Sequence, residues 1–159
     1  MGPGQRKTTR DGLARFANEL SAYEFVEHIL WPNGPKCPHC GSEGRVGKLN
    51  GASTRIGAYK CYNCRKTFSV THGTFFSSSH VPLHKWLQAI YLTEGGTKPM
   101  RPHHLQQILN VSFKTASSMI RRIAEAAANQ PSNFGRLAGN RRQKVPGTAP
   151  RPRHRGTSA

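Results

Sequence analysis

Four cysteines, and no others, stand in this chain as two C-x-x-C pairs, Cys37 with Cys40 and Cys61 with Cys64, twenty residues apart. A C-x-x-C in a tight turn presents two thiolates on one side of the backbone. Two such pairs complete a tetrahedral S4 shell, for which Zn2+ is the expected occupant. Four cysteines close that shell and leave no position for water or substrate, so the pattern predicts one structural zinc ion and no catalytic metal. Two alternatives compete. Disulfides suit a small secreted domain, but no signal peptide precedes the pairs, and a redox pair needs a thioredoxin-like setting that a duplicated motif does not suggest. His39, between the first two ligands, is a spare donor whose plainer reading is a solvated turn residue.

The remainder must fold around that site with few apolar residues. A hydrophobic fraction of 35% over 159 residues is low for a chain folded throughout, and leaves room for one or two small domains. Structural zinc adds apparent binding energy of ~10 to 16 kcal/mol coupled to folding, so chelation is expected to unfold the middle of the chain. Lys and Arg number 24 against 7 Asp and Glu, a net charge of +17 that a tetrathiolate centre lowers only slightly. Charge on that scale favours a polyanion through counterion release, without distinguishing DNA from RNA or from an anionic membrane. No stretch resembles a transmembrane helix, so the expected location is cytoplasmic and nucleoid-associated, with no membrane partner.

The pattern along the chain divides it into a basic arm (1–12), a helix plus zinc ribbon (13–81), a helical domain (82–128) and a basic tail (129–159). Ser21 followed by Glu24 is a capping-box pattern, and the pairs Phe25/Ile29 and Val26/Leu30 predict a helix over Ser21–Leu30. Pro32, Asn33, Gly34 and Pro35 stop it, and its apolar face with Trp31 is expected to pack on the metal-bound module. Between and after the cysteine pairs, two or three short strands are expected, with Val46, Leu49, Ile56 and Tyr59 as buried positions. Lys60, Arg65 and Lys66 flank the second pair. They suit phosphate contacts, and equally suit easing the negative charge of the tetrathiolate.

Residues 71–81 read as a linker. Leu83, Trp86, Leu87, Ile90 and Tyr91 then keep the spacing of a helix with one buried face, ended by Gly95 and Gly96. Pro102 opens a short second helix carrying Leu105, Ile108 and Leu109. Ser112 caps a third with Phe113, Ala116, Met119, Ile120 and Ile123 on its apolar side. Three helices, the last two joined by a tight Asn-Val-Ser turn, match a helix-turn-helix. In that motif the last helix offers its N-terminal and exposed side chains to the major groove, here Lys114, Thr115, Ser117, Ser118, Arg121 and Arg122. A plain helical bundle with a solvated basic face predicts the same residues. His103 and His104 read as surface residues.

Residues from about Ser21 to Glu125 resemble the N-terminal part of bacterial insertion-sequence transposases of the transposase zinc-ribbon family. The likeness is carried by SAYEFVEHILWP, CPHCGS, YKCYNCRKTFSV, the GTFF segment, the LHKWLQAIYL helix and the VSFKTASSMIRRI helix. It implies recognition of the element's terminal inverted repeats, followed in such transposases by a DDE-type nuclease domain. This sequence departs from the family there. Two-metal strand transfer needs several carboxylates on a pair of cations, yet beyond residue 66 the only carboxylate side chains are Glu94 and Glu125, and the sole Asp is Asp11. The chain is therefore expected to be no enzyme.

From Pro131 onward Asp, Glu, Ile, Met, Cys, Tyr and Trp are all absent. That composition reads as disordered, and as out-of-frame translation after a frameshift near residue 128. The resulting expectation is a small α+β protein: a four-cysteine zinc ribbon, then a three-helix helix-turn-helix-like bundle, between disordered basic termini. It would bind double-stranded DNA at element ends, beside an intact transposase or as a homodimer, and would be able to repress transposition. A zinc-ribbon transcription regulator and an RNA-binding protein are the competing classes.

Overall fold

Asn18 caps the helix that leads into the first cysteine pair. In the computed structural model, which describes residues 13–94 and 99–129, its backbone is extended and its side-chain oxygen accepts the N–H of Ser21 at 2.8 Å. The helix, α1, therefore runs Glu19–Leu30. The start lies two residues before the expected Ser21, which is already helical, so its pairing with Glu24 is no capping box. The expectations for residues 1–12, for Gly95 and Gly96, and for the tail and its frameshift lie outside the described residues.

The following elements are β1 (Val46–Lys48), β2 (Ala58–Cys61), β3 (Thr67–Ser69), α2 (Leu83–Glu94), α3 (Pro102–Leu109) and α4 (Phe113–Asn129). The strands form an antiparallel sheet in the order β1-β2-β3, with Val46 opposite Cys61 and Tyr59 opposite Phe68. Side chains alternate across a strand. Tyr59 and Cys61 thus share the buried face of β2, and Ala58 and Lys60 occupy the other. Ile56, expected inside, is 46% exposed, because it precedes the strand in a turn.

Two apolar clusters result. The larger joins Ala22, Val26 and Ile29 of α1 to Trp86, Leu87 and Ile90 of α2, Leu105 and Leu109 of α3, and Ala116, Met119 and Ile123 of α4. The smaller is Cys37, Tyr59, Cys61 and Phe68 beneath the ribbon. Trp31 packs on both, meeting Tyr59 edge-on at 5.2 Å and Phe68 at 5.9 Å between ring centroids. Of the expected apolar face, Trp31 is the residue whose ring packs on the ribbon's aromatic side chains. The helical stripe itself turns to α2, because three turns of small and branched side chains bury more apolar area on a helix than on a three-residue strand.

Residues 71–81 are packed rather than a bare linker. Val70 and Phe76 are buried in the larger cluster, Trp86 donates its indole N–H to Ser79 Oγ at 3.0 Å, and the rings of Phe75 and Phe76 stand edge-on to Trp86. Gln88, the one buried polar side chain among the described residues, donates to the carbonyls of Phe16 at 2.7 Å and Leu13 at 3.3 Å, which offsets its burial.

Contacts at Glu27, Gly57 and Glu19 fix how α1, the ribbon and α2 sit together. The Tyr59 hydroxyl donates to Glu27 Oε2 at 2.9 Å, and Lys48 Nζ approaches the same oxygen at 3.3 Å. Gly57, at φ +70°, passes so close to the Tyr23 ring that an added Cβ would fall 2.0 Å from it. Glu19 receives the first N–H groups of α2.

Candidate metal centre and nucleic-acid surface

The two C-x-x-C segments fold into matching turns. The N–H of Cys37 donates to the carbonyl of Ser42 at 2.9 Å, and that of Cys61 donates to Lys66 at 3.0 Å, the same offset along each pair. Gly41, after the first pair, has φ +74°; the equivalent residue after the second is Arg65, at φ +62°. Each turn thereby aims both of its sulfurs inward, and Cys61 is carried there by the end of β2.

The four sulfurs lie within 4.8 Å of one another, with Cys37–Cys64 at 3.7 Å and Cys40–Cys61 at 3.6 Å. A tetrahedron built on a Zn–S bond of ~2.3 Å has edges of ~3.8 Å, so the cradle fits Zn2+ and is far too wide for the ~2.05 Å bond of a disulfide. All four cysteines are free. With four thiolates the shell is closed, and the ion's contribution is to clamp two loops that have little core of their own. His39 is outside the shell, its ring 4.8 Å from that of His72.

As free thiols, Cys61 and Cys40 differ. Backbone N–H groups of Cys64 and Asn63 directed at the Cys61 sulfur pull its thiol down to about 7. The N–H of Ser42 draws Cys40 the same way, but desolvation and the surrounding thiols outweigh it and push Cys40 up to about 11. A metal takes thiolates, so ion and protons compete for this cradle.

The residues expected at nucleic acid fall into three groups. On α4, Lys114, Ser117 and Arg121 are exposed and share one side, opposite Ala116, Met119, Ile123 and Ala126, which are buried. Thr115 and Ser118 are half-buried. Thr115 is also engaged locally: Ser112 caps α4 by accepting the Thr115 N–H at 3.1 Å, and the two hydroxyls are 2.8 Å apart. Arg122 turns inward. Its guanidinium donates to the carbonyls of Phe75 and, at 3.0 Å, Ser77, and lies 5.1 Å over the Trp86 ring, so it holds the 71–81 segment against the helices. Around the ribbon, Arg65 and Lys66 are exposed and Lys60 is half-buried on the face of β2 away from Cys61.

Two placements depart from expectation. Phe113, assigned to the apolar side of α4, is 55% exposed. Arg122 serves the core, and a helical wheel carries the signal: at ~100° per residue it flanks Met119 and Ala126, whereas Arg121 points away from them. Asn110, left-handed at φ 50°, ends α3 and leaves a three-residue turn before α4, as expected.

Comparison with known proteins agrees with this geometry. Residues 17–67, which hold all four cysteines, match the Transposase zinc-ribbon domain family. An uncharacterized protein in transposable element ISH50 of Halobacterium salinarum is 32% identical over 114 residues, covering 72% of this chain and 37% of that protein. The chain thus spans just over a third of the relative's length. No solved structure matches it. Among the described residues no helix is long and apolar enough to cross a membrane. Fold, cysteine cradle and family match together identify residues 17–67 as a transposase zinc-ribbon domain with a four-cysteine zinc site.

Proposed function

We propose that this chain docks double-stranded DNA at the terminal repeats of an insertion element. In this reading α3 and α4 form a helix-turn-helix whose second helix reads base edges, while the ribbon's Lys60, Arg65 and Lys66 hold the phosphate backbone. The observation that carries it is the open side of α4, where Lys114, Ser117 and Arg121 stand together while the opposite stripe fills the core. The net charge of +17 supports a polyanionic partner. The transposase ribbon and the relative from a transposable element favour element ends over promoters or RNA. Zinc serves folding alone.

The same reading assigns no strand cleavage to these residues. Glu19 caps α2, Glu27 holds Tyr59 and Lys48, Glu43 pairs with Lys36 at 3.1 Å, and Glu125 lies 4.0 Å from Arg121. Glu24 and Glu94 are exposed on separate helices. Two-metal catalysis instead gathers carboxylates around cations ~3.5 to 4 Å apart. A protein that docks without cutting competes with a complete transposase for the same ends, and so represses transposition.

The test is a titration of zinc-loaded protein on duplexes carrying the ends of a related element, against random duplex, at two salt concentrations. A preference of ~1000-fold that survives the higher salt is expected. Equal binding that collapses with salt overturns base reading by α4, and Mg2+-dependent nicking by the purified chain overturns docking without cutting.

A further inference from the structure

Phe113 is the most exposed of the large apolar residues among those described, at 55%, and it is the first residue of α4. A phenyl ring in water at that position does nothing for the core. The helix meets its apolar needs through Ala116, Met119, Ile123 and Ala126 on the other side. Around the helix, Phe113 shares its side with Lys114, Ser117 and Arg121. Ser117, one turn on, is small and leaves the ring uncrowded, and the flanking cations suit a partner lined with phosphates. Thr115, which sequence would nominate for base contact, has its hydroxyl turned to Ser112. The polar reach of the first turn is thus reduced to Lys114, beside a ring that can neither donate nor accept a hydrogen bond.

We infer that Phe113 is a specificity-determining residue that packs on the 5-methyl group of a thymine in the major groove. This rests on the reading of α4 as the helix that enters DNA. Of the groups displayed in that groove, the thymine methyl is the apolar one, and a phenyl side chain is a suitable partner for it. Lys114 and Arg121 would then hold phosphate or guanine, while Phe113 sets where a thymine is required.

The experiment begins with selection of bound sequences from a random duplex library by the full zinc-loaded chain and by Phe113→Ala, each checked for zinc content and helicity. Every thymine of the enriched duplex is next replaced singly by deoxyuridine, which removes the methyl and keeps the pairing. The expected result is one thymine whose replacement weakens wild-type binding roughly fourfold, the worth of one buried methyl, and leaves Phe113→Ala binding unchanged. Phe113→Leu, still apolar, should keep part of the response. If no replacement affects the wild type, or Phe113→Ala responds equally, the assignment of Phe113 is overturned while DNA docking stands. If the wild type enriches no sequence at all, base reading by α4 falls, and this inference falls with it.

Discussion

The carboxylate of Glu19 closes the first turn of α2 from another helix: Oε2 lies 2.6 Å from His84 Nδ1 and accepts the His84 N–H at 3.0 Å, while Oε1 accepts that of Leu83 at 2.8 Å. A side chain from one element thus does the capping that α2 lacks in its own sequence, where Pro82 precedes it. Glu19→Ala should cost about 1 to 2 kcal/mol in denaturant unfolding. Glu19→Gln, which keeps one acceptor, should lose less.

At Gly57 the ribbon backbone passes close against the Tyr23 ring of α1. An alanine there meets both a left-handed backbone at φ +70° and the Tyr23 ring. Gly57→Ala should lower stability by about 3 kcal/mol, and the double variant Gly57→Ala, Tyr23→Ala should recover part of that by removing the clash while leaving the backbone strain. Additive losses in thermal unfolding would show that the two residues do not meet.

The two neighbouring arginines of α4 should behave oppositely. Arg122→Ala removes two carbonyl bonds and the stack on Trp86, a loss of about 2 to 3 kcal/mol. Arg121→Ala, on the open side, should change stability by less than ~0.5 kcal/mol and, if it holds a phosphate, reduce the salt slope of DNA binding by about one. A stable Arg122→Ala variant would mean that the 71–81 segment is held by its aromatic residues alone.

Desolvation raises the Tyr59 hydroxyl from 10.0 to about 12, and its bond to the Glu27 carboxylate adds to the rise. The protonated form is the one the fold favours. Its contribution is therefore fully present below pH 10 and disappears as pH rises through about 12. Tyr59→Phe should flatten that part of the pH–stability curve and cost about 1 kcal/mol at neutral pH. An unchanged alkaline limb would contradict the bond.

Zinc affinity should fall as pH drops, because protons displace the metal from the thiols. Chelation at neutral pH should unfold the ribbon and uncouple Trp31 from Tyr59 and Phe68, visible as a change in tryptophan fluorescence. Arg65→Gly offers a further check on the second turn. Removing a left-handed arginine relieves ~1 to 2 kcal/mol, partly offset by ~0.5 to 1 kcal/mol of glycine entropy. The variant should hold zinc at least as well, and should bind duplex more weakly if Arg65 touches phosphate.

The zinc cradle was legible in the primary structure because it depends on local spacing. Two C-x-x-C turns need only short-range geometry to place two sulfurs each, and strands that short allow little other than a ribbon between them. The helices α2, α3 and α4 were legible for a similar reason. Their stripes, Leu83 to Tyr91, Leu105 to Leu109 and Ala116 to Ile123, recur at helical period, and Pro102 and Ser112 mark two of the starts.

What no local pattern contained was the choice of partner. That Ala22, Val26 and Ile29 turn to α2 rather than to the ribbon, that Glu19 caps a helix 64 positions away, and that Arg122 faces inward while Phe113 faces water all depend on which surfaces compete for burial. Periodicity tells a side chain which face of its own helix it occupies. Which neighbour that face meets is decided when the whole chain minimises exposed apolar area and leaves no buried polar group without a partner, a condition that exists only in the tertiary structure.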